Sequence, residues 1–295
     1  MIVTYNRKEL LRECLTAVLF QTRPPDHVLV VDNASTDGTR EMLKKEFPQV
    51  EVLALPENQG GAGGFHEGMK KAYEDGYDWI WVMDDDAFPD RKTLERLLVQ
   101  SCYSQQYQVL VPLLRSSDGR WHGVGYWREG RYRPAQVSLW STPFPIDVFT
   151  FNGPLFHRRV IENVGLPRRE FFLWFDDTDY ALRIGFAGFQ VLCVPDALVH
   201  TDIGRIKRMR FLCRAWEEVA VPPEKLYYDV RNRGFTLLNG VYRGSRWRSL
   251  AFYIAWNLHG LIKDLFIHRQ DWSMRVRFRL LGLRDAFLGR LGKGP

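Results

Sequence analysis

The chain has 295 residues, of which 45% are hydrophobic and 26% are charged, with 24 glycines and 15 prolines. This ordinary globular composition excludes a disordered chain, a collagen-like rod and a coiled coil, and the length is sufficient to bury a sizeable core. The net charge of +6 is unevenly distributed, since residues 1–200 carry 22 basic and 27 acidic side chains, whereas residues 201–295 carry 19 and 8. We therefore divide the chain into residues 1–200 and a basic, aromatic-rich and mostly helical segment, residues 201–295.

The first 114 residues alternate short apolar runs with helix-like patterns, which is typical of a doubly wound α/β sheet. Strands are predicted at residues 1–4, 27–31, 50–55 and 79–83, and the segments between them have the apolar spacing of helices. Residues 115–150 are rich in Gly, Arg, Trp and Pro without a clear period, and we expect loops or a small excursion there. A further helix is predicted near residues 158–164.

Polar residues follow the predicted strands at the points where they end. Thr4 and Asn6 follow the first strand, and Asp32 and Asn33 follow the second. Three aspartates at residues 84–86 follow the fourth. Because ligands bind outside the carboxyl ends of the strands in open parallel sheets, we expect these residues to converge on one crevice.

The three consecutive aspartates point to a cation. Adjacent carboxylates repel one another unless a cation neutralises them, and alternation along an extended chain turns Asp84 and Asp86 to the same side. This pair can share Mg²⁺ or Mn²⁺ with a diphosphate, while Asp85 faces elsewhere. A solvated acidic surface is the alternative, but the aspartates directly follow an unbroken apolar strand.

Residues 58–64 form a glycine-rich segment that matches neither a Walker A motif nor a dinucleotide-binding motif. Gly60, Gly61 and Gly63 would allow a ligand to approach the backbone closely, with free amides near the start of the next helix. The alternative interpretation of this segment is a flexible turn.

A second group of carboxylates lies within residues 176–179, directly after Trp174 and Phe175. Aromatic neighbours and a second acid are expected to raise the pKa of a carboxyl group here, which suits a general base near neutral pH. Acids also favour the positive end of the helix dipole, so Thr178 or Asp179 is expected to cap a helix. Both roles are compatible.

These motifs occur in a fixed order along the chain, at residues 4–7, 21–26, 30–39 and 84–86. Together they resemble the inverting family-2 glycosyltransferases with the GT-A fold, and the resemblance covers about residues 1–200. Residues 58–65, residues 174–180 and His200 are most similar to bacterial galactofuranosyltransferases, with bacterial rhamnosyltransferases close behind. Tyr227-Tyr228 followed by Arg231-Asn232 is also similar to a segment common to both. The resemblance implies an α/β fold with a central mixed sheet and flanking helices.

The resemblance also implies roles for individual residues. Asp177 would be the general base, and Asp176 and Trp174 would hold the acceptor. Asp84 and Asp86 would ligate the metal, and His200 would complete the metal site. The expected donor-binding residues are Thr4, Asn6, Arg7, Asp32, Asn33, Gly60, Gly61, Gly63, Asp84 and Asp85.

We therefore expect an inverting, metal-dependent glycosyltransferase. It would move a sugar, with galactofuranose favoured, from a uridine-diphosphate donor to a lipid-linked or oligosaccharide acceptor in cell-surface polysaccharide synthesis. A deoxythymidine-diphosphate rhamnose donor is the close alternative, and a non-catalytic sugar-binding module is another. Nucleic acid is not an expected partner, because residues 1–200 are acidic and no nucleic-acid-binding motif accompanies the basic segment.

The basic segment is expected to contact anionic lipid. Its most apolar stretch, residues 250–262, falls short of the roughly 20 residues that a membrane-spanning helix needs. The pattern that is typical of a helix lying on anionic lipid consists of Trp272, Val276, Leu280 and Leu283 against Arg275, Arg277, Arg279 and Arg284. A helix that packs on the catalytic domain is the alternative. With no readable signal peptide and no CxxC pair among the four cysteines, we expect a cytoplasmic protein, peripheral at the inner face of the plasma membrane.

Overall fold

The computed structural model describes residues 1–103, 107–128, 131–136, 142–202, 206–211, 214–219, 221–239, 246–267 and 271–295. Its first half contains four parallel strands, β1 (Ile2–Thr4), β2 (Leu29–Asp32), β3 (Glu51–Ala54) and β5 (Met83–Asp84), in the order β3-β2-β1-β5. The helices that connect them are α1 (Lys8–Leu19), α2 (Thr39–Glu46) and α3 (Gly60–Glu74). The predicted alternation of strands and helices is confirmed.

The helices bury their apolar sides against this sheet. In α1 the buried residues are Leu11, Cys14, Leu15 and Val18, which recur every three or four positions. The inner strands β1 and β2 are buried along their whole length because helices cover both faces of a parallel sheet, whereas the edge strand β3 is partly exposed. The polar residues that follow the strands are thereby left at one edge of the sheet.

The sheet changes from parallel to antiparallel pairing at the fourth predicted strand. Val82 separates β5 from β4 (Trp79–Trp81), and the Val82 N–H donates to the Pro154 carbonyl at 2.9 Å. Strand β4 pairs with β13 (Leu155–His157), and β13 pairs with β7 (Tyr107–Arg115). Strand β14 (Gln190–His200) lies parallel to β7. The helices on this half are α4 (Thr93–Tyr103), α5 (Arg158–Val164) and α6 (Asp176–Phe186).

Short strands occupy much of the region where loops were expected. They are β8 (Trp121–His122), β9 (Val124–Arg128), β10 (Arg131–Pro134), β11 (Phe144–Ile146) and β12 (Val148–Phe149). A further short strand, β6 (Phe88–Pro89), lies before this region and pairs with β14. Strands β10, β9 and β12 form a small antiparallel sheet. Of the two expectations for residues 115–150, the small excursion was confirmed. Loops alone were the wrong alternative, because strands of two to five residues are too short to show a period in the sequence.

The C-terminal segment begins with a hairpin and continues as helices. The hairpin is formed by β15 (Ile206–Phe211) and β16 (Arg214–Val219), and the helices are α7 (Pro223–Leu238), α8 (Arg246–Phe266) and α9 (Trp272–Leu288). Helix α7 packs against both α8 and α9. Within the described ranges, every helix is too short or too polar to cross a membrane.

The expected lipid-facing arginines of α9 do not all face outward. Arg275 and Arg279 are buried, and their Nε atoms donate to the two carboxylate oxygens of Asp264 in α8 at 2.7 and 2.8 Å. Arg277 and Arg284 are exposed. The prediction of a basic outer face was therefore wrong for two of the four arginines, since a buried acid on the neighbouring helix attracts them inward.

Candidate active site

A cavity of about 680 Å³ opens where β1 and β5 end. Thr4 and the aspartates of residues 84–86 line it from the sheet. The other lining elements are the start of α3, residues 172–178 and one face of α7. Polar residues from the ends of the first, second and fourth predicted strands therefore meet in one crevice, as is usual for ligand sites in open parallel sheets.

Asp85 links the ends of β1 and β5. Its buried carboxylate accepts hydrogen bonds from Thr4 Oγ1 at 2.7 Å and from Arg7 Nη1 at 3.1 Å. Arg7 also donates to Asp86 Oδ2 at 2.7 Å. Burial raises the pKa of Asp85, although these two partners favour its charged form. The hydrogen bond between Thr4 and Asp85 thus joins the ends of β1 and β5 at the floor of the cavity. The partly exposed Arg7 adds a positive charge to the cavity lining.

Asp84 and Asp86 are the carboxylates that fit a cation. Burial, followed by the negative charges of Asp86 and Asp85, raises the pKa of Asp84 well above its ordinary value. A divalent cation would relieve this repulsion, and hard carboxylate oxygens suit Mg²⁺ or Mn²⁺. Among the described residues, no three His, Cys, Asp or Glu side chains are arranged to enclose an ion. The carboxylates of Asp84 and Asp86 therefore fit a cation whose remaining ligands are oxygen atoms of a bound substrate.

Asp32 and Asn6 are held by hydrogen bonds within the protein. Asp32 is fully buried, and its carboxylate accepts the Ser35 N–H at 3.0 Å and pairs with Arg40. Asn6 has a left-handed φ of 52° and accepts the Thr36 N–H at 2.7 Å. Neither Asp32 nor Asn6 belongs to the described lining of the cavity. Their contact with a donor stays a prediction.

From Gly60 onward the glycine-rich segment is the start of helix α3, so the alternative interpretation as a flexible turn was wrong. Gly60 has a φ of +73°, and a Cβ atom there would lie 1.9 Å from the Phe172 carbonyl oxygen. Glycine is required at this position because another backbone segment packs directly against it. Gly61 lines the cavity, whereas Gly63 packs against Gln59 and lies outside the described lining.

Asn33 fixes the start of α3. Its Nδ2 donates to the Gly60 carbonyl at 2.8 Å, and its Oδ1 accepts the Gln59 N–H at 2.8 Å. The side chain is almost fully buried, at 2% exposure. The structure therefore places Asn33 in the cavity wall, where it positions the helix start that faces a ligand.

Residues 172–175 lead into the second carboxylate group in a strained conformation. Phe172, Trp174 and Phe175 have φ values of 62°, 63° and 68°. Left-handed backbone costs a residue with a side chain roughly 1–3 kcal/mol. Such conformations persist only where the surrounding structure enforces them, and they occur often at functional sites.

Arg231 and Asn232 of α7 enforce this conformation, and we call them the Arg231–Asn232 pair. Asn232 Nδ2 lies 3.0, 3.0 and 2.7 Å from the carbonyl oxygens of Phe171, Leu173 and Trp174, respectively. Arg231 Nη2 donates to the Phe171 carbonyl at 2.8 Å, and Arg231 Nε donates to Asn232 Oδ1 at 2.8 Å. The second bond orients the amide toward the loop, so the pair determines where the following residues lie.

Helix α6 begins at Asp176, with the left-handed Phe175 as its N-cap residue and no side-chain cap. The expectation that Thr178 or Asp179 caps this helix was therefore wrong. Asp179 lies inside the first turn, where its Oδ1 accepts a hydrogen bond from Thr236 Oγ1 at 2.8 Å. The acids of the first turn still lie at the positive end of the helix dipole, as expected.

Asp176 and Asp177 line the cavity. Burial, followed by the charge of Asp177, raises the pKa of Asp176 to about 8. Burial raises the pKa of Asp177 to about 6. Because both pKa values are raised and ionisation of either carboxyl group disfavours ionisation of its neighbour, the pair favours a state near neutral pH in which one carboxyl group is ionised and the other holds a proton. One carboxylate of the pair can thus accept a proton while its neighbour donates a hydrogen bond.

Sequence reasoning missed the wall that α7 contributes. Lys225, Asp229 and Arg233 recur every fourth residue and line the cavity from one face of the helix. Arg233 Nη2 donates to Asp229 Oδ1 at 3.1 Å, and Lys225 Nζ lies 5.7 Å from the centre of the Trp174 ring. Mixed charges at this spacing also occur on solvated helices, so the sequence carries no signal that separates the two cases.

Thr150 and Asn152 were also missed. Both line the cavity, and their Oγ1 and Oδ1 atoms are buried without a hydrogen-bond partner among the described residues. Buried polar atoms are nearly always paired with protein, water or ligand. These two atoms are therefore available to a molecule that fills the cavity.

His200 lies at the end of β14, outside the described lining of the cavity. Its Nε2 is 2.9 Å from Asp90 Oδ1, and its side chain is 46% exposed. The structure thus places His200 beside Asp90, whereas Asp84 and Asp86 lie in the cavity. Its contribution to a metal site stays a prediction.

Curated relatives match the chain over most of its length. The galactofuranosyltransferase GlfT1 of Mycolicibacterium smegmatis is 28% identical over 97% of this chain and 96% of its own length. The N-acetylglucosaminyl-diphospho-decaprenol L-rhamnosyltransferase of Mycobacterium tuberculosis is 25% identical over 67% of this chain and 73% of its own length. The chain is similar to enzymes that transfer two different sugars.

The fold is similar to that of the mannosyltransferase PcManGT from Pyrobaculum calidifontis, solved in complex with GDP-Man and Mn²⁺. The TM-score is 0.57 at 17% identity, over 98% of this chain and 86% of that chain. The expected GT-A fold is thereby confirmed. Residues 1–165, more than half of the chain, match the family described as glycosyl transferase family 2. The chain belongs to this family and is a glycosyltransferase that uses a nucleotide-sugar donor.

Proposed function

We propose that this enzyme transfers galactofuranose from UDP-galactofuranose to a lipid-linked or oligosaccharide acceptor, with inversion at the anomeric carbon. The observation that carries the proposal is the Asp176–Asp177 pair, which directly follows a strained loop and lies in the same cavity as Asp84 and Asp86. Similarity to GlfT1 over nearly the whole chain favours galactofuranose. Similarity to a rhamnosyltransferase over two thirds of the chain favours dTDP-rhamnose as the second candidate donor.

Asp177 is the general base of the proposed reaction. Its ionised carboxylate takes the proton of the acceptor hydroxyl, whose oxygen then bonds to the anomeric carbon. The bond between that carbon and the diphosphate oxygen breaks, and the nucleoside diphosphate leaves from the opposite side, which inverts the configuration. The protonated Asp176 donates a hydrogen bond to the acceptor and helps to place the reacting hydroxyl near Asp177.

The departing diphosphate collects negative charge that the cavity must neutralise. Asp84 and Asp86 would hold Mn²⁺ or Mg²⁺ for this purpose, and the cation would stabilise the leaving oxygens. Arg7 and Lys225 add positive charges to the cavity lining. Thr150 and Asn152 offer unpaired acceptors to the hydroxyl groups of the donor or the acceptor.

The proposed acceptor class places the enzyme at the inner face of the plasma membrane. The M. tuberculosis relative is named for a diphospho-decaprenol substrate, which is a lipid carrier. A polyprenol-linked sugar exposes its head group at a membrane surface, so an enzyme that acts on it must bind at that surface. We place this enzyme on the cytoplasmic side.

Thermal-shift binding and product analysis test the proposal. We expect UDP with Mn²⁺ to raise the melting temperature more than dTDP or GDP does, because a ligand that binds only the native state stabilises it. With UDP-galactofuranose, Asp177→Asn should abolish transfer and keep the UDP shift. A dTDP shift with rhamnose transfer would support the second donor. No shift with any nucleotide at millimolar concentration would refute both.

A further inference from the structure

Helix α8 has its polar side inward. Its buried residues include Ser249, Asn257 and Asp264, together with Tyr253 and Gly260. A helix on the surface of a globular protein normally buries its apolar stripe and exposes its polar side. Helix α8 does the reverse.

The outward side of α8 is almost entirely apolar. Of its ten exposed positions within residues 247–266, eight are apolar. The large ones, exposed between 45% and 79%, are Trp247, Ile254, Leu258, Ile262, Leu265 and Phe266. Most are three or four residues apart, so they form one stripe that extends about 28 Å at 1.5 Å per residue.

Helix α9 extends this apolar surface. Trp272, Leu280, Phe287 and Leu288 are each about half exposed. Among the described residues, nineteen large hydrophobic side chains are exposed, and eleven of them lie after residue 246. Isolated exposed apolar residues are normal, but a concentration of this size marks an interaction surface. We call the outer side of α8 with these residues of α9 the apolar face.

Buried ion pairs hold the apolar face outward. Asp264 of α8 accepts hydrogen bonds from Arg275 and Arg279 of α9, and Arg279 Nη1 lies 3.4 Å from Asn257 Oδ1. Turning α8 to bury its apolar side would break these contacts and leave charges without partners, which is costly in a protein interior. The inversion is therefore built into the packing of the two helices.

We propose that the apolar face docks on a lipid bilayer, with its apolar side chains among the acyl chains and its basic residues on anionic head groups. An exposed tryptophan lies at the start of each helix, Trp247 in α8 and Trp272 in α9, and tryptophan favours the boundary between water and lipid. Two exposed arginines of α9, Arg277 and Arg284, suit anionic head groups and disfavour a second copy of the same basic surface, and Arg284 also pairs with Asp285 of the same helix.

Helix α8, whose outer side belongs to the apolar face, also contacts the helix that lines the catalytic cavity. Trp256 of α8 packs on Arg233 of α7, whose guanidinium lies 4.6 Å from the ring centre, and Arg233 lines the cavity. Docking through this face would hold the cavity next to the bilayer surface. The docking itself is argued from the packing of α8 and α9. Its role rests on the proposed function, because a lipid-linked acceptor would lie at the bilayer surface.

Vesicle flotation of the full chain tests this inference without any donor or acceptor. We expect the protein to float with phosphatidylcholine vesicles, and more completely when phosphatidylglycerol is added. Leu258→Glu combined with Ile262→Glu should lower the bound fraction about tenfold, since both side chains leave the acyl region. Phe20→Glu is the matched control, because Phe20 is apolar and 71% exposed at the end of α1. It should float like the unchanged protein.

Three results would overturn the inference: no flotation with either vesicle, flotation that needs anionic lipid and ignores the double substitution, or a dimer in light scattering that the double substitution dissociates. An unchanged melting temperature of the double variant shows that its loss of flotation is not a folding defect. A UDP shift measured on the same sample separates this test from that of the proposed function, which stands or falls on nucleotide binding.

Discussion

Removing the Asn232 amide should release the loop of residues 171–175, which leads into the proposed catalytic carboxylates Asp176 and Asp177. The two amide hydrogens of Asn232 are shared among three backbone carbonyls within residues 171–174. These hydrogen bonds offset the cost of the three residues in the left-handed conformation. Two lost hydrogen bonds cost about 1 kcal/mol each, and a carbonyl left buried and unpaired adds about 1 kcal/mol or more. For Asn232→Ala we therefore expect the productive loop conformation to lose about 3 kcal/mol, which corresponds to roughly a hundredfold lower kcat.

Steady-state transfer assays and UDP binding together test this reasoning. Asn232→Ala should lower kcat while the dissociation constant of UDP changes little, because the strand ends that line the donor side keep their contacts. Asn239→Ala is the matched control, since Asn239 is the C-cap residue of the same helix and its side chain makes an exposed hydrogen bond, at 2.7 Å to the Phe235 carbonyl. An Asn232→Ala variant with full kcat would refute the argument. Equal losses in kcat and UDP binding would show a general folding role.

Three further outcomes are expected. The rate should fall about tenfold per pH unit below pH 6, because burial raises the pKa of Asp177 to about 6 and only its ionised form accepts a proton; a flat kcat/KM profile between pH 5 and 7 would contradict this. EDTA should abolish transfer and Mn²⁺ should restore it, and Asp86→Asn should weaken the Mn²⁺ dependence of the UDP thermal shift. Gly60→Ala should lower the free energy of unfolding by several kcal/mol in denaturant titration, because the new Cβ atom would lie 1.9 Å from the Phe172 carbonyl oxygen. Gly61→Ala is the control and should be tolerated, because a Cβ atom at Gly61 would have no atom within 4 Å among the described residues.

The parallel half of the sheet was predictable because its signals are local. Long apolar runs end in polar residues, and the chain reverses through helices with clear spacing, as in residues 8–19. The two carboxylate groups of the cavity were predictable for the same reason, since each directly follows an apolar or aromatic run. The family resemblance then supplied roles that spacing alone cannot assign.

The rest of the site depends on contacts between residues far apart in the chain. Asn232 meets the Trp174 carbonyl across 58 positions, and nothing at either position indicates the other. From the sequence alone, Arg275 and Arg279 are predicted to be surface charges, because their buried partner Asp264 lies on a different helix. The inward polar side of α8 was missed because an inverted helix has the same period as an ordinary one, and the period does not say which side is buried.

The hydrogen bonds between α7 and the catalytic loop also limit how this enzyme can be divided. Thr236 reaches Asp179, and Arg231 and Asn232 reach residues 170–174, so the first 200 residues complete their cavity only with a helix that follows them. A donor-binding half could not be exchanged for that of a relative at residue 200 without separating these partners. Recombination that changes the sugar would have to keep residues 171–179 and 223–238 from the same parent. Helix α7 and the loop before α6 thus behave as one unit in any exchange of segments between relatives.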